Sequence, residues 1–382
     1  MSLRFLTAGE SHGKALAGIL EGMPAGLELI PSDIQSELSR RKRGHGRGNR
    51  QKIETDQVDI LAGVRRGKTL GSPIALLINN LDFKNWTNIM GVEPSDGEAP
   101  RRVSVPRPGH ADLVGKLKYG FDDMRDVLER SSARETAMRV ALGSVARKFL
   151  KECGVSVASR VTAIGAECSQ EELLCPVSKL NASADASPVR CTDAQAALRM
   201  VAAIDAAKDA GDTLGGTFEV LIEGLPIGLG SYAQWDRRLE APLAAAVMSL
   251  NAIKGVEIGL GFESARRLGS LAHDAITVKG RKLGYATNRS GGIDGGITTG
   301  QTVVIRAAMK PLATLMKPLD SVDLRTMRPA KAHVERSDAC AVPSAAVIAE
   351  SLACLVLADE ILKKFGGDSM KEILPRLRAW NP

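Results

Sequence analysis

The feature that most constrains this chain is a motif order that occurs twice. Gly9-Glu10-Ser11-His12-Gly13 and the turn Glu21-Gly22-Met23-Pro24-Ala25-Gly26-Leu27 return, at one common offset, as Gly211-Asp212-Thr213-Leu214-Gly215 and Glu223-Gly224-Leu225-Pro226-Ile227-Gly228-Leu229. After a slip of a few residues, Val58-Asp59-Ile60 and Leu70-Gly71-Ser72 answer to Val256-Glu257-Ile258 and Leu268-Gly269-Ser270. Glu129-Arg130-Ser131-Ser132-Ala133 answers to Glu335-Arg336-Ser337-Asp338-Ala339, each expected to open a long apolar helix. A unit of about 200 residues is too long for a solenoid period. Matches kept in order over that length predict one α+β domain with approximate internal two-fold symmetry. Its halves are expected at about 1–165 and 191–382, with a polar surface excursion at 165–190.

Local patterns fill in the first half. Strands are expected at 3–8 and 15–21, with a third after the Glu21–Leu27 turn. A helix starts at Pro31-Ser32-Asp33, where Ser32 and Gln35 fit a capping box, Ile34 and Leu38 form the apolar stripe, and Gly44 ends it. Ser132 and Glu135 fit a second capping box. Arg134 would then lie in the first turn, where its charge opposes the helix dipole and a bound anion would account for it. Asp338 would cap the corresponding later helix, or turn its carboxylate to the same cavity.

Composition narrows the class. A hydrophobic share of 44% with 25% charged residues suits an ordinary globular protein. No apolar run reaches the roughly 18 residues of a spanning helix. Met1-Ser2-Leu3-Arg4 leads directly into a strand without a signal-peptide layout, so a cytoplasmic location is expected. The six cysteines show no Cys-x-x-Cys spacing and read as reduced packing residues, and no histidine has a zinc-like neighbourhood, so no metal is expected. The net charge of +7 favours an anionic partner. Aromatics at 3% leave few platforms for stacking bases, which argues against nucleic acid. Gly63-Val64-Arg65-Arg66-Gly67-Lys68-Thr69 falls one residue short of a P-loop and reads as a hairpin turn. The Gly-x-Gly-x-x-Gly fingerprint is missing, which argues against a nicotinamide dehydrogenase.

Three stretches carry possible chemistry. His12, between two glycines, can serve as an acid or base near neutral pH or be an ordinary turn histidine; Leu214 at the repeated position favours the first. His110 closes Pro106-Arg107-Pro108-Gly109-His110, at the end of an irregular stretch from 80 to 109. Arg40, Arg41, Lys42, Arg43, Arg47, Arg50 and Lys52, interleaved with Gly44, Gly46 and Gly48, suggest a mobile flap closing arginine forks over a phosphate or carboxylate. Gly291-Gly292-Ile293-Asp294-Gly295-Gly296 could bring backbone close to a ligand.

Taken together, Gly9-Glu10-Ser11-His12-Gly13 with Glu21-Gly22-Met23-Pro24, Glu129-Arg130-Ser131-Ser132-Ala133-Arg134-Glu135-Thr136, and Arg336-Ser337-Asp338-Ala339-Cys340 with Glu350-Ser351 closely resemble the chorismate synthase family. The resemblance covers essentially the whole chain. It implies a β-α-β sandwich, a homotetramer, and anti 1,4-elimination of phosphate from 5-enolpyruvylshikimate 3-phosphate, with reduced FMN required but no net redox change. It leaves open whether NADPH reduces the flavin on this protein or a separate flavin reductase does so. By match to the family's motifs, the flavin is expected at Ser132, Ala133, Arg134, Asn251, Ala252, Gly295, Lys310, Pro311, Leu312, Ala313, Thr314 and Arg336. Ser11, Arg41 and Arg47 are expected to hold the phosphorylated ligand, and His12, His110 and Asp338 to be catalytic. Two other functions compete: a flavin reductase, which would consume NADPH steadily, and a basic nucleic-acid binder, whose binding would survive physiological salt.

Overall fold

The computed structural model describes residues 2–48, 53–94, 100–171, 175–335 and 337–380. It is a mixed helix-and-sheet structure. The first sheet is antiparallel and contains strands Arg4–Ala8, Ala15–Glu21, Ile74–Asn79 and Val58–Ala62, in that spatial order. In Ala15–Glu21 the alternation sends Leu16, Gly18 and Leu20 inward and leaves Ile19 outside, as a one-sided sheet requires.

The second sheet runs Ser156–Ile164, Gly216–Glu223, Val303–Met309, Ile253–Ile258, again antiparallel, with the short Glu167–Cys168 at one edge. With the short edge strand Glu167–Cys168 left aside, each sheet pairs its second strand in sequence with its fourth, and the fourth with its third. The registers correspond too: Leu20 faces Ile74, and Ile222 faces Val303.

Helix Thr136–Glu152 packs on the first sheet, helix Val342–Phe365 packs on the second, and the two helices pack on each other. Val342–Phe365 is apolar nearly all round, as a fully surrounded helix must be, with Pro343 tolerated in its first turn. One hydrophobic cluster includes Leu16, Ile78, Phe149, Phe218, Ile305 and Leu357, so the core spans both sheets. At the helix crossing, Gly143 lets the backbones close up: a Cβ there would lie 2.5 Å from Ser351 Cβ and 2.6 Å from its carbonyl oxygen. Gly143→Ala is expected to cost about 1–3 kcal/mol by overpacking, seen as a lower denaturant midpoint.

Several local expectations change. Helix Pro31–Lys42 starts two residues earlier than a Ser32 cap would put it, because Ile30 takes the cap position and Asp33 accepts from the Ile30 amide, while Gln35 turns to the Asp56 carbonyl. No third strand follows Leu27; Glu28 makes only an isolated bridge to Lys68. The Gly63–Thr69 stretch is a hairpin, Val64–Arg65 on Lys68–Thr69, as expected. The 165–190 segment is no plain excursion: helix Val177–Ala186 buries Leu180 and Ala184 against strand Ser156–Ile164, and Arg190 is buried. Its polar face hid a short apolar stripe.

Candidate active site

His12 is held from three sides. Its Nδ1 lies 2.9 and 3.0 Å from the two carboxylate oxygens of Glu129, and its own amide donates to Glu129 at 2.7 Å. Its ring stacks on Trp86 at 3.8 Å, with 21° between planes. The chain must turn sharply here to present one side chain to a single carboxylate. Asn80 secures the turn, donating to the carbonyls of Glu10 and Gly13. Burial by itself would raise the Glu129 carboxyl, but the contacts from His12 and Arg125 outweigh it and hold Glu129 below its ordinary range. With Nδ1 committed, Nε2 is the nitrogen left to act. Ser11 is buried beside it and donates to Ser132 Oγ at 3.1 Å.

The 132–136 region is not the capping box expected. Ser132 accepts from Arg134 N at 3.3 Å and caps a short 3-10 turn, Ala133–Glu135; the long helix begins only at Thr136, and Glu135 pairs with Arg139 instead. Arg134 needs no bound anion to explain its charge. Its guanidinium is buried against Asp56, Glu54 and Asn80.

The basic run divides in the same way. Arg40 is buried against Glu350, Glu37 and Asp185. Arg41 faces Asp56, Thr136 and the Ala133 carbonyl rather than an open cavity, and burial, with Arg47 and Arg134 nearby, lowers it to about 10. The flap reading therefore fails for these two, which end a packed helix. Arg47 does sit in the loop. It pairs with Asp338 at 2.7 Å, and its Nε is buried without a partner. Asp338 caps no helix, since Val342–Phe365 starts later; it also accepts from the Gly48 amide at 2.6 Å. Arg50, Lys52 and Arg336 lie outside the described residues.

His110 has a parallel arrangement. Its Nδ1 lies 2.5 Å from Asp112, whose carboxylate also accepts from Arg107 at 2.8 and 3.0 Å. Burial opposes ionisation of Asp112, yet hydrogen bonds from His110 and Arg107 keep it well below the usual carboxylate range. Arg107 reaches on to Thr314 Oγ1 at 2.7 Å, and Lys310 donates to the Gly109 carbonyl at 2.7 Å. The amide of Lys310 donates to Ala252, and Asn251 donates to the Ser131 carbonyl at 3.0 Å. Contacts thus run without a break from Ser11 through Ser132 and Asn251 to the 310–314 segment and His110. Among the described residues, no such contact joins Gly295 to this group. It turns a small hairpin, Ile293–Asp294 on Ile297–Thr298, with nothing within 4 Å of where a Cβ would stand.

A family model described as chorismate synthase matches residues 3–362. The chain belongs to the chorismate synthase family. Among its relatives, "Chorismate synthase 1" of Bacillus cereus is 54% identical, over 99% of this chain and 98% of the relative. Chorismate synthase of Geobacillus kaustophilus is 54% identical over 99% of each chain. A crystal structure of chorismate synthase superposes with a TM-score of 0.79 at 40% identity, covering 99% of this chain and 97% of the other.

In this member of the chorismate synthase family, the motifs point to His12 and His110 but not to the residues that hold them. Glu129 stood in a quoted signature without a role, and Asp112 follows His110 by two positions. Trp86 could have been noticed as one of only three tryptophans, in the irregular stretch before His110. Within that stretch, Leu81–Asn85 and Thr87–Met90 form short helical turns on either side of Trp86.

Proposed function

We propose that this chain catalyses the anti 1,4-elimination of phosphate from 5-enolpyruvylshikimate 3-phosphate, giving chorismate at the last step of the shikimate pathway, with reduced FMN bound and no net redox change. The observation that carries the chemistry is the buried His12–Glu129 pair, which fixes one imidazole nitrogen and leaves the other for a ligand. The reaction breaks the C–O bond to phosphate and one allylic C–H bond, and the electrons of the C–H bond end in the new conjugated double bond. When bound, reduced flavin supplies electron density to the substrate as phosphate departs.

His12 Nε2 protonates or neutralises the leaving phosphate, and Arg47 helps to hold its charge. An arriving phosphate competes with Asp338 for Arg47, freeing the Asp338 carboxylate to take the proton from the C–H bond. His110, fixed at Nδ1 by Asp112, keeps a proton available beside the flavin. Residues of the chain fit that cofactor: Asn251 Oδ1 is a buried acceptor without a partner, suited to a ring N–H, and Gly295 leaves open space. Ser132, Ala133, Asn251, Ala252, Gly295 and the 310–314 segment would hold it. Arg134 would contribute through its backbone, its guanidinium being committed.

Finer points of architecture and assembly belong to the same reading. The matching strand orders and registers support a β-α-β sandwich made of two pseudo-repeats. Leu6 and Ile19, opposite one another and exposed, support burial of that face in a homotetramer. No helix among the described residues is long and apolar enough to cross a membrane, in keeping with a cytoplasmic enzyme. The test is an anaerobic assay with photoreduced FMN: phosphate is released with the reduced cofactor and not with the oxidised one. Absence of release under reduced conditions rejects the reading, and NADPH oxidation without added reductase would show that the protein reduces its own flavin.

A further inference from the structure

We infer that Trp86 is a positioning residue for His12: its indole face fixes the plane of the imidazole and stabilises the protonated ring. The inference rests on the acid–base reading of His12 for its kinetic consequence only.

Trp86 is buried, yet it belongs to neither hydrophobic cluster of the described residues. A core-filling indole would be wrapped in aliphatic side chains; this one is ringed by polar groups. His12 stacks on it with 3.8 Å between ring centroids and 21° between planes. The guanidinium carbons of Arg101 and Arg125 stand 4.6 and 5.2 Å from the indole centroid. The indole N–H donates to Asp82 at 3.1 Å, which orients the ring within its own turn. Leu81, which opens that turn, donates its amide to Glu54 at 2.9 Å, and the preceding Asn80 donates to the carbonyls of Glu10 and Gly13. One segment therefore holds both the loop that carries His12 and the ring that faces it.

Glu129 and Trp86 constrain the imidazole in different ways. The contacts of Nδ1 with the Glu129 carboxylate fix one edge of the ring, about which the ring could still swing. A flat partner on the ring face removes that motion, so Nε2 is aimed in one direction. The stack also has an electrostatic side. An aromatic face carries negative potential, so an imidazolium over it is stabilised where a neutral imidazole is not, and more strongly out of water. The charged groups facing the pair are Glu129 and Arg125 from helix Arg125–Ser131, Arg101, Asp82 from the turn of the indole itself, and Glu10 from the His12 loop. Arg101 and Arg125 oppose a positive charge on His12 and Glu129 favours it; the indole face adds to the side of Glu129.

A tryptophan that merely filled space would make the His12 titration depend only on the size of its replacement. The distinguishing readout is histidine titration by NMR on the full chain labelled at imidazole Cε1, with the His12 signal assigned by its loss in His12→Gln. Trp86→Leu and Trp86→Phe open similar gaps and differ in the aromatic face. The His12 midpoint in Trp86→Leu is expected to lie about 0.5 pH unit or more below that in Trp86→Phe. Equal midpoints, or a higher one in Trp86→Leu, overturn the inference. If neither variant folds, a second measurement leaves Trp86 in place. Trp235 and Trp380, both exposed, are replaced by phenylalanine, so that Trp86 is the one remaining tryptophan of three. An imidazolium touching an indole quenches its emission, so fluorescence is expected to rise as His12 loses its proton, with the midpoint of the NMR signal, and to lose that step in His12→Gln. No step in the single-tryptophan chain, or a step that survives His12→Gln, overturns the inference equally. No substrate is needed, so failure here is distinguishable from failure of the elimination assay.

Discussion

Replacing His12 by alanine is expected to lower kcat by about a hundredfold to ten-thousandfold, the usual weight of a positioned acid–base group. The fold should survive. Glu129 keeps Arg125 as its counter-charge, so the substitution leaves no unpaired buried carboxylate. What disappears is the nitrogen that Glu129 aims, together with the ring stacked on Trp86. Phosphate release with saturating reduced FMN measures the effect, and a denaturation midpoint close to the parent's separates it from misfolding. His110→Ala should behave alike, whereas Leu214→His at the repeated position should disturb packing without affecting chemistry, because Leu214 lies against Gly165 and pairs its backbone with Cys340. Full activity in His12→Ala would remove His12 from the mechanism.

Glu350→Gln is expected to cost about 3–5 kcal/mol, the range for breaking a buried ion pair by removing one partner. Glu350 is fully buried in helix Val342–Phe365 and gathers Arg40 at 2.9 and 3.0 Å, Arg190 at 3.2 Å, Asn181 at 3.3 Å, Arg147 and Ser159. These residues come from two other helices, a strand, the 177–186 helix and the loop after it. Neutralising the carboxylate leaves Arg40 and Arg147 to Glu37, and Arg190 to Asp185. The denaturant midpoint should fall steeply, with the loss largest at neutral pH.

The sign of the pH dependence follows from the same group. Burial pushes the Glu350 carboxyl up, but Arg40, Arg147 and Arg190 outweigh it and carry it far below its ordinary 4.5. Glu129 and Glu335 are depressed likewise, and Asp112 from its own ordinary 3.8. Such groups bind fewer protons folded than unfolded, so their stabilisation is complete above their ordinary values and is lost as pH falls. The parent should therefore unfold in acid, and Glu350→Gln should lose less stability than the parent between neutral pH and about pH 3.

The strands around the first glycine motif, the Ile34 and Leu38 stripe and the small hairpin at 63–69 are legible in the sequence, because all of them depend on neighbours in sequence. The 177–186 helix is not legible there, because its apolar stripe is short and its anchor, Asn181, meets Glu350 from the far end of the chain. Arg40, Arg41 and Arg134 were misjudged for one reason. A basic residue beside glycines looks the same whether it meets an incoming phosphate or a buried carboxylate, and Asp56, Glu54 and Glu350 are distant in sequence.

The sequence alone determined the family and singled out His12 and His110 as candidates, because motif spacing and residue type are properties of the chain itself. Only the tertiary structure decided which nitrogen of each histidine is held, which arginines are spent on buried carboxylates, and that Arg125 joins Glu129 to Glu335. Those are matters of distance between groups far apart in the chain, and packing of the two long helices on each other and on the strands sets that distance.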